Sequence, residues 1–488
     1  MIDVIGGGLL IIGLLIVDGL AQPSSTPERR WRSWQGVGVL LGTAAFLLGV
    51  FLFLTGAWIP SIVLVLALAS VLTLVSNIKR QVLGESLVFS DFALVGAVFQ
   101  HPHFYLSALR PWQFVTLAIG VFLLVGVIVL FSTHDVSLRF VGISIAIVAA
   151  LSLWGMLRRS RWAILAQEPD LERDVRDHGL IATLVVYWHL WSRLSDLAEC
   201  PFPPISSETH QLVVVIQCES FADPVELFGP MEEPLPGLVG ARALSWRSGR
   251  LVVSGFGAYT MRTEFGALFG VPESMLGLRR FDPFLTAASA ASWALPKRLA
   301  GKDWSSVFVH PHDMRFYGRD KLMPAAGFNT LVGEEAFAKP AAADGRYVTD
   351  AALCDKLIEI ASAADRSAII YAVTIENHGP WSADDRNGHE GNKAGYLRLL
   401  MRGDALLSRL IAELPKLGRP AILCFFGDHR PSIPQVSVPG GDRHTPYVIL
   451  RFDETGAPIT SQDPSKDLTP DELHHHILEA IQLRRGQR

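Results

Sequence analysis

Ala421-Ile422-Leu423-Cys424-Phe425-Phe426-Gly427-Asp428-His429-Arg430 is the stretch from which the rest of the chain becomes readable. Six consecutive apolar residues stop at a glycine and give way to a carboxylate and an imidazole. A continuous apolar run of this length suits a strand covered on both faces. The arrangement recurs: Leu212 to Cys218 ends in Glu219-Ser220, Ser305 to Val309 in His310-Pro311-His312-Asp313, and Ala368 to Ile375 in Glu376-Asn377-His378-Gly379. Helical patterns, for example at 351–363 and 398–413, separate the runs. Buried strands alternating with helices predict an α/β domain with a mostly parallel, doubly wound sheet, whose ligands bind beyond the carboxyl ends of the strands. Alone, each polar tail is ordinarily a turn or a cap. Four at equivalent strand ends converge on one site.

The donor set is rich in oxygen. Carboxylates with one imidazole suit one divalent cation, Mn²⁺ by the share of oxygen ligands, with Zn²⁺ and Mg²⁺ as alternatives. A nucleophile is the remaining requirement. Arg250 to Val253 runs into Ser254-Gly255-Phe256-Gly257-Ala258-Tyr259-Thr260-Met261-Arg262-Thr263-Glu264-Phe265, a glycine-containing loop opening a helix. Glycines allow close backbone approach, a helix N-terminus favours an anionic phosphate, and a nearby cation favours an ionised hydroxyl. Thr260 is thus both helix cap and nucleophile in this reading, with Thr263 and Ser220 as the other hydroxyls. The polar stretch Ser382 to Gly395 is a candidate acceptor-side element, or else an ordinary exposed loop. His474-His475-His476 falls in a helical pattern, where neighbours in sequence face different ways, and reads as surface. The four cysteines, Cys200, Cys218, Cys354 and Cys424, lack CxxC spacing; Cys218 and Cys424 sit in apolar runs and read as buried thiols.

The 488 residues are 50% hydrophobic, with a mean hydropathy of +0.31. Residues 1–157 hold only 13 of the 90 Asp, Glu, Lys and Arg residues. Two solvents are implied: the first third reads as membrane and the rest as an ordinary soluble domain. A net charge of −4 without a basic stripe excludes a nucleic-acid partner. Five apolar segments reach spanning length, roughly 4–21, 37–57, 58–75, 114–131 and 140–157. The first has no basic flank before it, so a cleaved signal peptide is not expected. The shorter stretch Gly179 to Trp191 reads as an interfacial helix with Tyr187, Trp188 and Trp191 at headgroup level. The predicted organisation is a transmembrane domain over 1–160, an interfacial helix and Pro-rich linker over 161–210, and a catalytic domain over 211–488. Arg29, Arg30, Arg32, Lys79, Arg80, Arg110, Arg158, Arg159 and Arg161 fall on one side of the five spans. The positive-inside rule makes that side cytoplasmic, and the C-terminal domain with it.

Taken together, these residues resemble the lipoteichoic acid synthase and periplasmic-glucan phosphoglycerol transferase family, within the alkaline phosphatase and sulfatase superfamily. The likeness covers nearly the whole chain, including a loop of Asn77-Ile78-Lys79 followed by Ser90-Asp91-Phe92 that is similar to the family's, one residue shorter. It implies a sulfatase-like catalytic domain on a five-helix membrane part. It also implies one Mn²⁺-type ion held by Glu219, Thr260, Asp428 and His429, with Thr260 as nucleophile. By the same resemblance His378 handles the proton or leaving group, and Arg319, in the His310...Arg319-Asp320 segment, grips the phosphoglycerol. His312 and Tyr317 stand where lipoteichoic acid synthases carry a carboxylate and a Trp in the glycerol pocket. Within residues 211–488 the sulfatase Cys/Ser-x-Pro-x-Arg signature is absent, which argues against a formylglycine enzyme.

The implied activity is a phosphotransferase that moves phosphoglycerol from phosphatidylglycerol to a cell-envelope polysaccharide or glucan through a covalent phospho-threonine-type intermediate. The resemblance also places the enzyme as a multi-pass protein of the bacterial inner membrane, with its catalytic domain outside the cytoplasm. That contradicts the arginine count unless the 179–191 stretch is a short sixth span, or Lys79, Arg80 and the Arg158 cluster face the anionic donor lipid at the outer leaflet, the alternative taken here. A phosphoethanolamine transferase or phosphodiesterase would use the same centre with another headgroup pocket. A catalytically inactive membrane scaffold would lack the complete ligand set found here.

Overall fold

A computed structural model describes residues 2–24, 32–94, 111–158, 162–205, 211–231, 235–299, 304–341, 345–381, 388–461 and 463–483. The chain forms two compact units, Met1–Leu194 and Ser195–Arg488.

In the first unit, helices α1 (Ile2–Gly19), α2 (Trp34–Thr55), α3 (Trp58–Leu83), α4 (Pro111–Phe131) and α5 (Val136–Leu157) stand at the five apolar segments. Among the described residues, α2, α3 and α5 are long and apolar enough to cross a membrane; the apolar parts of α1 and α4, Ile5–Gly19 and Ala118–Phe131, are shorter. Helices in lipid gain little from burying apolar groups against one another and associate through close backbone packing. The crossing of α2 and α5 uses this: a Cβ on Gly49 would lie 2.5 Å from the amide nitrogen of Ala146, and one on Gly142 would lie 2.6 Å from that of Phe53. Helix α6 (Leu171–His178) leads into α7 (Leu180–Trp191). The expectation for α7 is corrected at Tyr187, which is buried and donates its hydroxyl to Asp174 Oδ2 at 2.5 Å. A carboxylate 13 residues earlier, in α6, supplies the polar partner that an interfacial tyrosine would take from headgroups.

The second unit is built on seven strands: β1 (Leu212–Cys218), β2 (Arg247–Leu251), β3 (Trp304–Val309), β4 (Thr330–Val332), β5 (Ser367–Val373), β6 (Ala421–Gly427) and β7 (Thr445–Phe452). Their order is β2-β7-β6-β1-β5-β3-β4. From β6 to β4 neighbours run parallel, whereas β7 is antiparallel to both β2 and β6. The sheet is therefore mixed. The reason lies between β6 and β7, where residues 428–444 contain no helix; without a crossover helix the chain can only return antiparallel.

Both faces are covered, as continuous apolar strands require. Val213 and Val215 of β1 join one core with Phe265 and Phe269 of α8 (Thr260–Phe269) and Ile477 of the C-terminal helix. Leu212, Val214 and Ile216 join the other, with Leu353 of α9 (Asp350–Ala363) and Leu406 of α10 (Gly388–Glu413). Residues 382–387 of the predicted acceptor-side stretch lie outside the described residues, and the remainder opens α10. The Pro-rich segment is fastened to this unit: Cys200 N donates to Ser292 Oγ at 2.9 Å, and Ile205 bridges Leu299. Cys218, Cys354 and Cys424 are buried free thiols.

One reading fails at the C-terminal helix α11 (Pro470–Gln482). His474 is buried rather than on the surface. Its Nδ1 lies 3.2 Å from the carbonyl of Ala267 in α8, and burial pushes the imidazole down to about 3. A three-residue run spans most of a helical turn, so one of its members must face the core.

Candidate functional site

Register decides which polar residues meet. Cys218 of β1 lies opposite Gly427 of β6, so the next residues, Glu219 and Asp428, emerge side by side at the carboxyl edge. The approach is tight: a Cβ on Gly427 would lie 1.8 Å from the carbonyl oxygen of Phe221. Glycine before Asp-His is thus a steric requirement of the β1 exit. Ser220 takes a left-handed φ of 51°, a conformation that costs energy for a non-glycine residue. It ties the two carboxylates together, its N–H donating to Asp428 Oδ1 at 2.8 Å and its hydroxyl to Glu219 Oε1 at 2.9 Å.

Glu219, Asp428 and His429 are all buried, and one ligand atom from each lies within 4.8 Å of the others. His429 Nδ1 sits 3.1 Å from the carbonyl of Arg430. A carbonyl only accepts, so Nδ1 carries the proton and Nε2 presents its lone pair. That lone pair faces Glu219 Oε1 at 3.5 Å and Asp428 Oδ2 at 3.5 Å, too far for charge-assisted hydrogen bonds. Asp428 Oδ2 is buried without a hydrogen-bond partner among the described residues. Burial and the adjacent Asp428 push the Glu219 carboxyl up to about 8. Two carboxylates and an imidazole lone pair turned on one another fit a cation, and the oxygen-rich donor set fits a divalent one.

Thr260 opens α8 and lies 3.4 Å, Oγ1 to Nε2, from His429. The other two hydroxyls are already spent: Ser220 donates to Glu219, and Thr263 Oγ1 donates to the carbonyl of Asp428 at 2.7 Å. The loop before Thr260 is fastened to the Asp-His loop by Gly257 N to the Arg430 carbonyl, 2.8 Å. Tyr259, left-handed at φ 75°, is covered by the Arg262 guanidinium 3.8 Å above its ring.

Arg319 is fully buried and placed differently from the expectation of a phosphate grip. Nε and Nη2 donate to Glu264 Oε1 and Oε2 at 3.1 and 2.5 Å, while Nη1 approaches His310 Nε2 at 3.5 Å. His310 Nδ1 meets the Val373 carbonyl at 3.0 Å, as the pairing of Val309 with Ala372 requires. Burial and Arg319 hold His310 well below its usual pKa. Glu264, one helical turn after Thr260, escapes sequence reasoning; its signal is a carboxylate on the core face of an apolar helix.

Beside this pair lies a wall of rings. His312 packs 5.8 Å from His310, 6.1 Å from Phe316 and 6.1 Å from Tyr347. Tyr347 lies 6.0 Å from His378, and Tyr317 packs tilted against Phe316 at 4.3 Å with the Arg319 guanidinium 5.2 Å from its ring. Tyr347 carries no motif and is brought in only by the fold. His378, half-buried, directs Nδ1 to the carbonyl of Gly379 at 2.8 Å, and the loss of water around its ring lowers its pKa.

Lys79 and Arg80 belong to the N-terminal unit. Lys79 Nζ pairs with Asp91 Oδ2 at 2.6 Å and donates to the Ser86 carbonyl at 3.0 Å. Arg80 forms a two-pronged bridge to Glu172 at 2.6 and 3.0 Å. Asn77 bridges Leu20 and Gln22. The Asn77-Ile78-Lys79 and Ser90-Asp91-Phe92 motifs are thus two halves of one clasp.

Residues 211–483 match the family model described as Sulfatase. The chain is 30% identical over 440 residues to the capsular polysaccharide biosynthesis protein RkpI of Rhizobium meliloti (strain 1021), covering 85% of this chain and 81% of that protein. A protein of the same organism named for cyclic beta-1,2-glucan modification is 24% identical over 411 residues, 76% of this chain and 63% of its own length. Among solved structures, the integral membrane lipooligosaccharide phosphoethanolamine transferase A of Neisseria meningitidis superposes with a TM-score of 0.52 at 12% identity, covering 96% of this chain and 95% of that one.

Proposed function

Because the chain belongs to the sulfatase family, with the alkaline phosphatase fold, we propose that it is a membrane-bound, metal-dependent phosphotransferase that moves phosphoglycerol from phosphatidylglycerol to a cell-envelope glycan. The observation that carries the reading is the convergence of Glu219, Asp428 and the His429 lone pair beside the one hydroxyl of three that has no other task. Glu219, Asp428, His429 and Thr260 would hold the ion, Mn²⁺ or Zn²⁺, which supplies Lewis-acid charge stabilisation. Thr260 Oγ gives up its proton and attacks the phosphorus, the bond to the diacylglycerol oxygen breaks, and that oxygen takes up a proton as diacylglycerol leaves. An acceptor hydroxyl then attacks the phosphoglyceryl-threonine and restores Thr260. His378, neutral and with Nε2 as its basic nitrogen, takes up the acceptor's proton. Arg319 contributes through its buried charge and by fixing Glu264 and His310, since two of its nitrogens are committed.

The headgroup pocket in this reading is the ring wall of His310, His312, Tyr317 and Tyr347. The His310 imidazole, held neutral by burial and Arg319, and the Tyr317 and Tyr347 phenols offer hydrogen-bond partners to the hydroxyls of a polyol, which supports phosphoglycerol. The glycan acceptor is supported by the names of the two Rhizobium relatives. The five helices are read as five spans, with residues 210–488 outside the cytoplasm, and donor binding involves Lys79 and Arg80 through the clasp they close. A second reading, phosphoethanolamine transfer, is favoured by the full-length superposition on the Neisseria enzyme.

Incubating the full-length protein with phosphatidylglycerol or phosphatidylethanolamine, each labelled in the headgroup, separates them. Mass spectrometry is expected to find a phosphoglycerol adduct on Thr260. A phosphoethanolamine adduct selects the second reading, and no adduct from either lipid rejects the covalent mechanism. Reporter fusions after residue 200 are expected to signal outside the cytoplasm; a cytoplasmic signal would return the orientation to the arginine count.

A further inference from the structure

Asn377 follows Glu376 in the loop at the carboxyl edge of β5, three residues after Thr374, whose hydroxyl accepts from the N–H of the ligand Glu219 at 2.9 Å. It is 1% exposed. Trp381 Nε1 donates at 3.0 Å both to its carbonyl oxygen and to its side-chain Oδ1. The indole therefore fixes which end of the amide is oxygen, because a flipped amide would set N–H against N–H. The other end, Nδ2, is buried and has no hydrogen-bond partner among the described residues. Its neighbours are occupied: Glu376 accepts from Asp350 N at 2.7 Å and from Arg402, and His378 Nδ1 is turned to Gly379.

A buried amide N–H₂ left unmatched costs stability that nothing in the fold recovers, and such exceptions in folded proteins mark places where something else supplies the acceptor. The chemistry of that acceptor is narrow. An amide nitrogen donates only, so it cannot join the cation ligands; it serves an oxygen that is anionic or becomes so. Arg319, the guanidinium expected to grip phosphate, has spent Nε and Nη2 on Glu264. A phosphodiester brought to Thr260 therefore arrives with non-bridging oxygens that still need a donor.

We infer that Asn377, through Nδ2, donates to a non-bridging oxygen of the transferring phosphoryl group. The inference rests on the phosphoryl-transfer reading above and adds a residue to it. The donor is held in advance by Trp381, so it need not reorganise as charge grows on the oxygen.

The test uses orthovanadate, which takes the five-coordinate form of transferring phosphorus, titrated into the full-length metal-loaded protein in detergent. Asn377→Asp keeps an oxygen for the Trp381 indole and removes the donor; Asn377→Ala removes both without adding charge. Both are expected to weaken orthovanadate about tenfold or more, with the Asn377→Asp thermal midpoint no lower than that of the native protein. Binding within about twofold of native in either folded variant overturns the inference. A lowered midpoint with unchanged orthovanadate binding also overturns it, and assigns Asn377 to holding Trp381. If the native protein binds orthovanadate no better than Thr260→Ala, the phosphoryl-transfer reading itself fails and the inference falls with it.

Discussion

Glu219 and Glu264 are two buried glutamates of the same catalytic unit, and their surroundings could hardly differ more. Glu264 meets a guanidinium with both oxygens and needs nothing further. Glu219 faces another carboxylate and an imidazole lone pair, and among the described residues it receives only the Ser220 hydroxyl within hydrogen-bond reach. The contrast separates two kinds of buried charge. One is satisfied by the chain and serves to position; the other is left for something the chain does not contain.

Activity should break for both kinds, but by different routes. The largest effect is expected for Thr260→Ala, which removes the nucleophile and should cost several powers of ten in transfer while the protein remains folded. Retention of more than about a tenth of native turnover would eliminate the phospho-threonine intermediate.

Stability is where the two glutamates should part. Arg319→Met leaves Glu264 buried without its partner and is expected to lower stability by about 3–5 kcal/mol in denaturant unfolding. Glu219→Gln is expected to raise the midpoint of the chelator-treated protein and to abolish the rise that Mn²⁺ or Zn²⁺ gives the native one. The pH dependence follows with its sign. The folded-state pKa of Glu219 is raised, from 4.5 to about 8, so between these values the folded protein holds a proton that the unfolded chain releases. Stability of the metal-free protein should be fully present below about 4.5 and fall as pH rises toward about 8. Glu219→Gln should flatten that slope. An equal slope in both proteins would show that Glu219 is not the group left waiting.

The smallest effect is expected at the clasp of the N-terminal unit. Lys79→Gln with Arg80→Gln removes two ion pairs that are already formed within the protein. It should raise the KM for phosphatidylglycerol about threefold, roughly 0.7 kcal/mol, and leave hydrolysis of a short soluble phosphodiester unchanged. Equal losses on both substrates would place the clasp in the fold rather than in donor binding.

What the sequence discloses follows the same division. The strand ends were legible, because an apolar run stopping at Glu219, His310 or Asp428 is a local pattern and parallel pairing brings such ends together. Glu264, Tyr347 and the free amide of Asn377 were not. Glu264 looks like any helix glutamate until Arg319 is folded onto it, and Tyr347 reaches the ring wall only by tertiary packing. The antiparallel return of β7 was hidden because a strand's own composition does not carry its direction. His474 shows the limit of helical-face arguments: without knowing that α11 packs on α8, nothing says which of three adjacent histidines turns inward.

The pairing of β1 with β6 also has a consequence in time. Ser220 and Asp428, which hold each other across the site, are separated by 208 residues of chain. A polypeptide emerging N-terminus first therefore has no complete binding centre until almost the whole catalytic unit has been made. An ion held there would be captured late, by a nearly finished protein, from whatever pool surrounds it as it folds. Which metal it would carry is then set as much by the compartment in which β6 docks as by the ligands themselves, and expression in a different compartment should change the metal without changing a residue.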